Sequence, residues 1–119
     1  YTVLDGSGGG LSIGAYCSIS AGVQIYTHDT VMWALSGGQA AKRTAPVSIG
    51  ECCYLGSQAV IAAGTTIGSQ CVVAANSFVN RAVPERTIVG GSPARPLGHV
   101  VVRGDDIELV YPSDPDPRP

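Results

Sequence analysis

Residues 49–84 read IGECCY LGSQAV IAAGTT IGSQCV VAANSF VNRAVP when broken into sixes. Every hexad opens on an aliphatic residue: Ile49, Leu55, Ile61, Ile67, Val73 and Val79. The same phase runs upstream over 13–30 as IGAYCS, ISAGVQ and IYTHDT, opening on Ile13, Ile19 and Ile25. From Ile25 to Ile49 is 24 residues, a multiple of six, so the phase survives the interruption between the two blocks. The fifth position holds Cys17, Val23, Asp29, Cys53, Ala59, Thr65, Cys71, Ser77 and Val83, small in every case but Asp29. The second position is often glycine, at Gly14, Gly50, Gly56 and Gly68.

A period of six fits neither an amphipathic helix nor simple strand alternation. It fits a parallel β-helix of hexapeptide repeats, in which each hexad supplies a short strand and a turn. Three hexads close a triangular coil. First-position aliphatics stack inside, small fifth-position residues sit near the corners, and glycine relieves crowding where the chain turns sharply. The expected class is all-β, with an extruded loop at about 31–46.

The composition agrees. The chain has 119 residues, 45% apolar but only 6% aromatic, with 13% charged residues. Long amphipathic helices need more Glu, Lys, Arg and Leu than this, and disorder throughout is excluded by the apolar content. Flat faces so poor in charge suit packing against further copies of the chain, so an oligomer is expected. With a net charge of −2 and no dense basic run, there is no electrostatic footprint for nucleic acid. No apolar run approaches a membrane span and no signal-peptide pattern opens the chain. The chain does not begin with Met, which keeps a missing N-terminal region in view. Cys17, Cys52, Cys53 and Cys71 form no CxxC pair. They are read as small buried fillers rather than metal ligands or disulfides, except Cys52, whose side chain is expected to point outward. That usage favours a reducing, cytoplasmic compartment.

The hexads, together with YTHDT at 26–30 and GGSPAR at 90–95, resemble the hexapeptide-repeat acyltransferases. The likeness covers roughly residues 11–97. It is to the branch of galactoside, maltose, nodulation-factor and surface-polysaccharide O-acetyltransferases. It implies a left-handed parallel β-helix, a homotrimer with sites between subunits, and acetyl-CoA as cosubstrate. The handedness comes from the resemblance alone.

His28 stands at the mouth of the interrupting loop, which also carries the only Met and Trp, Met32 and Trp33, and the charges Lys42 and Arg43. Acyl transfer to a hydroxyl needs a base near neutral pH, and imidazole suits it; the alternative is a surface His in a turn. The resemblance makes His28 the catalytic base. Asp29 either orients the imidazole or holds loop amides, the second being favoured because adjacent side chains rarely face each other. Trp33 either walls the acceptor pocket or pantetheine channel, or pins the loop to a neighbouring subunit. Ser57 and Ala75 are 18 residues apart, one full coil, and should stack. Taken alone they read as ordinary small coil residues. The resemblance makes the Ser57 amide an oxyanion donor and Ala75 a backbone contact to pantetheine. It also places Asn80, Arg81 and Arg95 at the CoA nucleotide, Arg81 standing where Lys is usual, against the alternative of solvated surface residues. Arg86 is a weaker candidate.

At the ends, YTVLDGSGGG over 1–10 is an imperfect coil or a glycine-rich loop. Over 98–119, a hairpin turning at Gly104-Asp105 is expected to carry His99 in a structural role, followed by a Pro-rich tail, SDPDPRP. The function expected is acetyl transfer from acetyl-CoA to a sugar or glycan hydroxyl. Alternatives are an amino-sugar N-acetyltransferase, a streptogramin- or chloramphenicol-type antibiotic acetyltransferase, and a non-catalytic β-helix scaffold. A γ-class carbonic anhydrase needs three His ligands, and the sequence has two His.

Overall fold

The computed structural model describes residues 1–112; the Pro-rich tail expected at 113–119 lies outside them. The chain winds as a parallel β-helix with three sheets. One holds Leu11–Ile13, Val47–Ile49 and Thr66–Ile67. A second holds Val3–Leu4, Gln24–Ile25, Val60–Ile61 and Phe78–Val79. The third runs through Ser18–Ile19, Tyr54–Leu55, Val72–Val73 and Thr87–Gly91. A hairpin then continues the third sheet, Ala94–Arg103 pairing antiparallel with Asp106–Val110 around Gly104-Asp105.

The pairing register makes the first-position aliphatics into columns. Ile13, Ile49 and Ile67 align in one sheet, Leu4, Ile25, Ile61 and Val79 in the next, and Ile19, Leu55, Val73 and Val89 in the last. In each short strand the other residue faces out, because side chains alternate. The core is these columns plus the fifth position, where Val23, Cys53, Ala59 and Cys71 are buried. All four cysteines are free thiols, and Cys52 is exposed. The Cys17, Cys53 and Cys71 thiols donate to the Gly50, Gly68 and Pro84 carbonyls at 3.1, 3.1 and 3.0 Å. Burial pushes the Cys17 thiol up, as the neighbouring Cys71 sulfur and burial do for Cys53, which keeps both protonated as donors.

The corners turn by a device the hexads did not reveal. The fourth position takes the left-handed conformation at Tyr16, Gly22, Cys52, Gln58, Gly64, Gln70, Asn76 and Arg86, with φ from 55° to 81°. The second-position glycines relieve crowding, as expected of them, and the crowding comes from the neighbouring coil. A Cβ at Gly56 would lie 2.6 Å from the Ala75 amide nitrogen of the next coil, and Gly14, Gly50 and Gly68 are crowded in the same way.

Two details depart from the repeat as read. Val83 does not occupy a fifth position but bridges Ile67 and joins the first-position stack. One corner is two residues short after Val79, so the phase slips and resumes at Val83 and Val89. Asp29 likewise leaves the coil. The third hexad departs after buried Thr27, and His28–Asp29 pairs antiparallel with Arg43–Thr44 as the stem of the insertion. The insertion carries a single-turn helix, Val31–Leu35, none of whose residues is buried. Beyond the stem the coil re-enters directly, Val47–Ile49 lying beside Leu11–Ile13. The first ten residues combine both expectations, a strand at Val3–Leu4 and a glycine turn after it.

Candidate active site

His28 sits where the coil opens into the stem. Its backbone is fixed by pairing with Thr44 and by the preceding Thr27. The Thr27 hydroxyl donates to the Asp5 carbonyl at 2.9 Å and accepts from the Gly8 N–H at 2.7 Å. Gly8 is required there, because a Cβ would overlap the Thr27 carbonyl. The glycine turn therefore packs against the stem and delivers Asp5 to His28.

Asp5 Oδ2 lies 2.8 Å from His28 Nδ1, with the side chains 22% and 31% exposed. The contact has the length of a hydrogen bond but not its direction, and Nδ1 has no other partner. A carboxylate in that place favours the proton on Nδ1 and leaves Nε2 as the proton-accepting nitrogen. The Ser7 backbone N–H, aided by its hydroxyl and by His28, holds the Asp5 carboxyl below its ordinary range against a smaller opposing effect of burial. Asp5 thus stays ionised into mildly acid solution. Its folded-state pKa is depressed, so its contribution to folding is present above the unfolded value and lost as pH falls through the folded one.

Asp5 was not among the candidates read from the sequence, where Asp29 was the carboxylate considered. The Asp29 side chain instead accepts the Val31 N–H at 3.2 Å and meets Arg43 Nη1 at 3.5 Å. On the reading that His28 is the base the resemblance implies, Asp5→Asn is expected to lower kcat about tenfold with little change in the acetyl-CoA KM, since Asp5 would position the imidazole without holding the cosubstrate. Steady-state kinetics at saturating acceptor check this; an unchanged kcat would remove Asp5 from the site.

His28 opens onto a cleft of about 280 Å³ whose walls include Tyr26, Arg43, Val60, Ala62 and Phe78. A second cleft, of about 230 Å³, lies at the C-terminal end of the coil and brings Arg81 and Arg95 together with Pro84, Thr87 and Pro96. Arg95 donates to the Ala94 carbonyl at 3.2 Å, and among the described residues neither arginine pairs with a carboxylate. Asn80 is exposed between Val79 and Arg81. Ser57 and Ala75 are exposed on successive coils at one corner, linked by the Asn76 N–H donating to the Ser57 carbonyl at 2.9 Å. They line neither cleft. Trp33 is half exposed on the single-turn helix, its ring over Gly38, and also lines neither. Arg86 is a corner residue whose Nε donates to Gln70 Oε1 at 2.9 Å, and His99 is exposed in the hairpin. Among the described residues no group of three or more His, Cys, Asp or Glu is placed to hold a metal.

A family model described as the hexapeptide repeat of succinyl-transferase matches residues 46–81. A chloramphenicol acetyltransferase of Morganella morganii is 32% identical over 73% of this chain and 50% of its own length. A hexapeptide-repeat acetyltransferase of Vibrio cholerae O1 biovar eltor, solved with acetyl coenzyme A, superposes with a TM-score of 0.70. It is 37% identical, over 76% of this chain and 49% of that one. The chain belongs to the hexapeptide-repeat acyltransferase family. Its β-helix is accordingly the left-handed one of that family. A further member, the galactoside O-acetyltransferase of Escherichia coli K12, is 34% identical over 46% of this chain and 27% of its own length. The chain spans between 25% and 50% of the length of the curated family members it matches. No helix among the described residues is long and apolar enough to cross a membrane.

Proposed function

We propose that the chain is the β-helix unit of an acetyltransferase that moves an acetyl group from acetyl-CoA to a hydroxyl of a sugar or glycan. The observation that supports this reading is His28 at the open corner of the coil, with Nδ1 2.8 Å from Asp5 Oδ2; the reading gives Nε2 the part of the base. In the proposed step Nε2 takes the acceptor hydroxyl proton as the oxygen attacks the thioester carbonyl. The Ser57 amide stabilises the oxyanion of the tetrahedral intermediate. Collapse expels the CoA thiolate, which the imidazolium reprotonates. Ala75 borders the pantetheine arm, Asn80, Arg81 and Arg95 meet the nucleotide phosphates, and Trp33 reaches a neighbouring subunit or the pantetheine channel. Since the His28 cleft and the Arg81–Arg95 cleft share no lining residue, a complete site is assigned to adjoining copies in a homotrimer. A cytoplasmic location goes with this reading, as acetyl-CoA is the cosubstrate.

A second reading, transfer to the hydroxyl of an antibiotic, is favoured by the Morganella morganii relative. Thiol release from acetyl-CoA with a panel of sugars, amino sugars and antibiotics tests both. Release with sugar hydroxyls supports the first reading, release with antibiotics alone supports the second, and release with amines alone overturns both. Arg95→Ala is expected to raise the acetyl-CoA KM about tenfold or more, the size of one charge-assisted contact. An unaltered KM would discard its nucleotide role.

A further inference from the structure

The His28 cleft is apolar along Val60, Ala62, Ala63 and Phe78, and Arg43 is the one permanent cation among its lining residues. Two contacts locate the guanidinium. Nη1 is 3.5 Å from Asp29 Oδ2, and Nη2 is 3.5 Å from the place a Cβ would take on Gly64. The group therefore lies over the Ala62-Ala63-Gly64 corner, at the edge of the space into which His28 opens. Its hold on Asp29 is weak. The pair is at the long end of ion-pair distance, the two side chains are 62% and 36% exposed, and such surface pairs contribute little. That contact occupies one of five guanidinium donors, and Asp29 divides itself with the Val31 N–H at 3.2 Å. The backbone of Arg43 is nevertheless fixed by its pairing with Asp29, next to the rung that fixes His28 against Thr44. A planar fork carried on a two-rung ladder beside His28, with most donors unspent and at the edge of an apolar cleft, suits a carboxylate or phosphate.

We infer that Arg43 selects an acceptor bearing an anionic group, a carboxylate or a phosphate, beside the hydroxyl that His28 deprotonates. The acceptor class is then an acidic sugar, either a uronic acid or a sugar phosphate. This rests on the proposed acetyl transfer. Asp5 lies against His28 Nδ1 and Asp29 against Arg43 Nη1, so the anion engages the remaining guanidinium donors, which include Nη2 at the Gly64 corner.

The test measures CoA release with galactose and glucose against their uronates and their 1-phosphates. At least one anionic class is expected to exceed the neutral sugar by about tenfold or more in kcat/KM. The class that does so identifies the anion, and a gain with both marks a general anion site. Arg43→Gln is expected to bring the ratio close to one, and Arg43→Lys to retain part of it. Neutral sugars used as well as both anionic forms, or a ratio that survives Arg43→Gln, would overturn the inference. If no sugar releases CoA, the reading of transfer to a sugar fails, and anion recognition is judged from binding. Saturation-transfer NMR of galacturonate and galactose 1-phosphate should show binding at least about tenfold weaker in Arg43→Gln; equal binding overturns it.

Discussion

Replacing His28 by Ala is expected to lower kcat by about 10²–10⁴, the magnitude of a general base. The substitution should leave the fold in place. His28 belongs to no aliphatic column, its side chain is 31% exposed, and the stem that carries it is held by backbone pairing and by Thr27. The acetyl-CoA KM should change little, because in the proposed step His28 meets the acceptor proton rather than the nucleotide. The measurement is thiol release at saturating acetyl-CoA and acceptor, with circular dichroism as the check on folding. A variant that keeps the parent rate would remove His28 from the chemistry. A variant that loses only acceptor affinity would make it a binding residue.

Leu55→Ala is expected to cost about 2–5 kcal/mol of folding stability. Leu55 is fully buried between Ile19 and Val73 in one column. The strands above and below are pinned by backbone bonds such as the Ser20 N–H to the Leu55 carbonyl at 3.0 Å and the Gly56 N–H to the Val73 carbonyl at 2.8 Å. Neighbouring coils therefore cannot close over the cavity, which places the cost toward the upper part of the range. Urea unfolding checks it, with Ile107→Ala as the contrast. Ile107 is 65% exposed on the hairpin, where truncation should change stability by no more than about 0.5 kcal/mol. A loss below about 1 kcal/mol at Leu55 would contradict the stacked interior.

The coil was legible because one position in six does one job. An aliphatic must face the axis on every rung, and the sequence repeats that requirement. The interruption was legible for the same reason, since Ile25 to Ile49 keeps phase. Three features carried no comparable signal. The corner conformation falls on Tyr16, Cys52, Gln58, Gln70 and Arg86 as readily as on Gly22, so side-chain type does not mark it. The slip after Val79 was hidden because valine suits either a fifth or a first position. Asp5 was hidden because its tie to His28 crosses from one coil to the next, through a glycine turn whose length the repeat does not set. His28 stood out by its rarity and its loop, whereas its carboxylate neighbour required the coordinates. Trp33 stood out in the same way, yet within one chain its ring lies over Gly38 and lines neither cleft.

The central claim is that His28 and the arginine cleft, separate in one chain, join across two chains to make one acetyl-CoA site. The direct measurement mixes two inactive parents, His28→Ala and Arg81→Ala/Arg95→Ala, by co-refolding, and assays thiol release at low acetyl-CoA. Random assembly pairs an intact His28 with an intact arginine cleft at about a quarter of the interfaces, so activity should recover to about that fraction of the unmutated protein. A mixture no more active than the sum of its parents would place both halves of the site in a single chain and contradict the shared site.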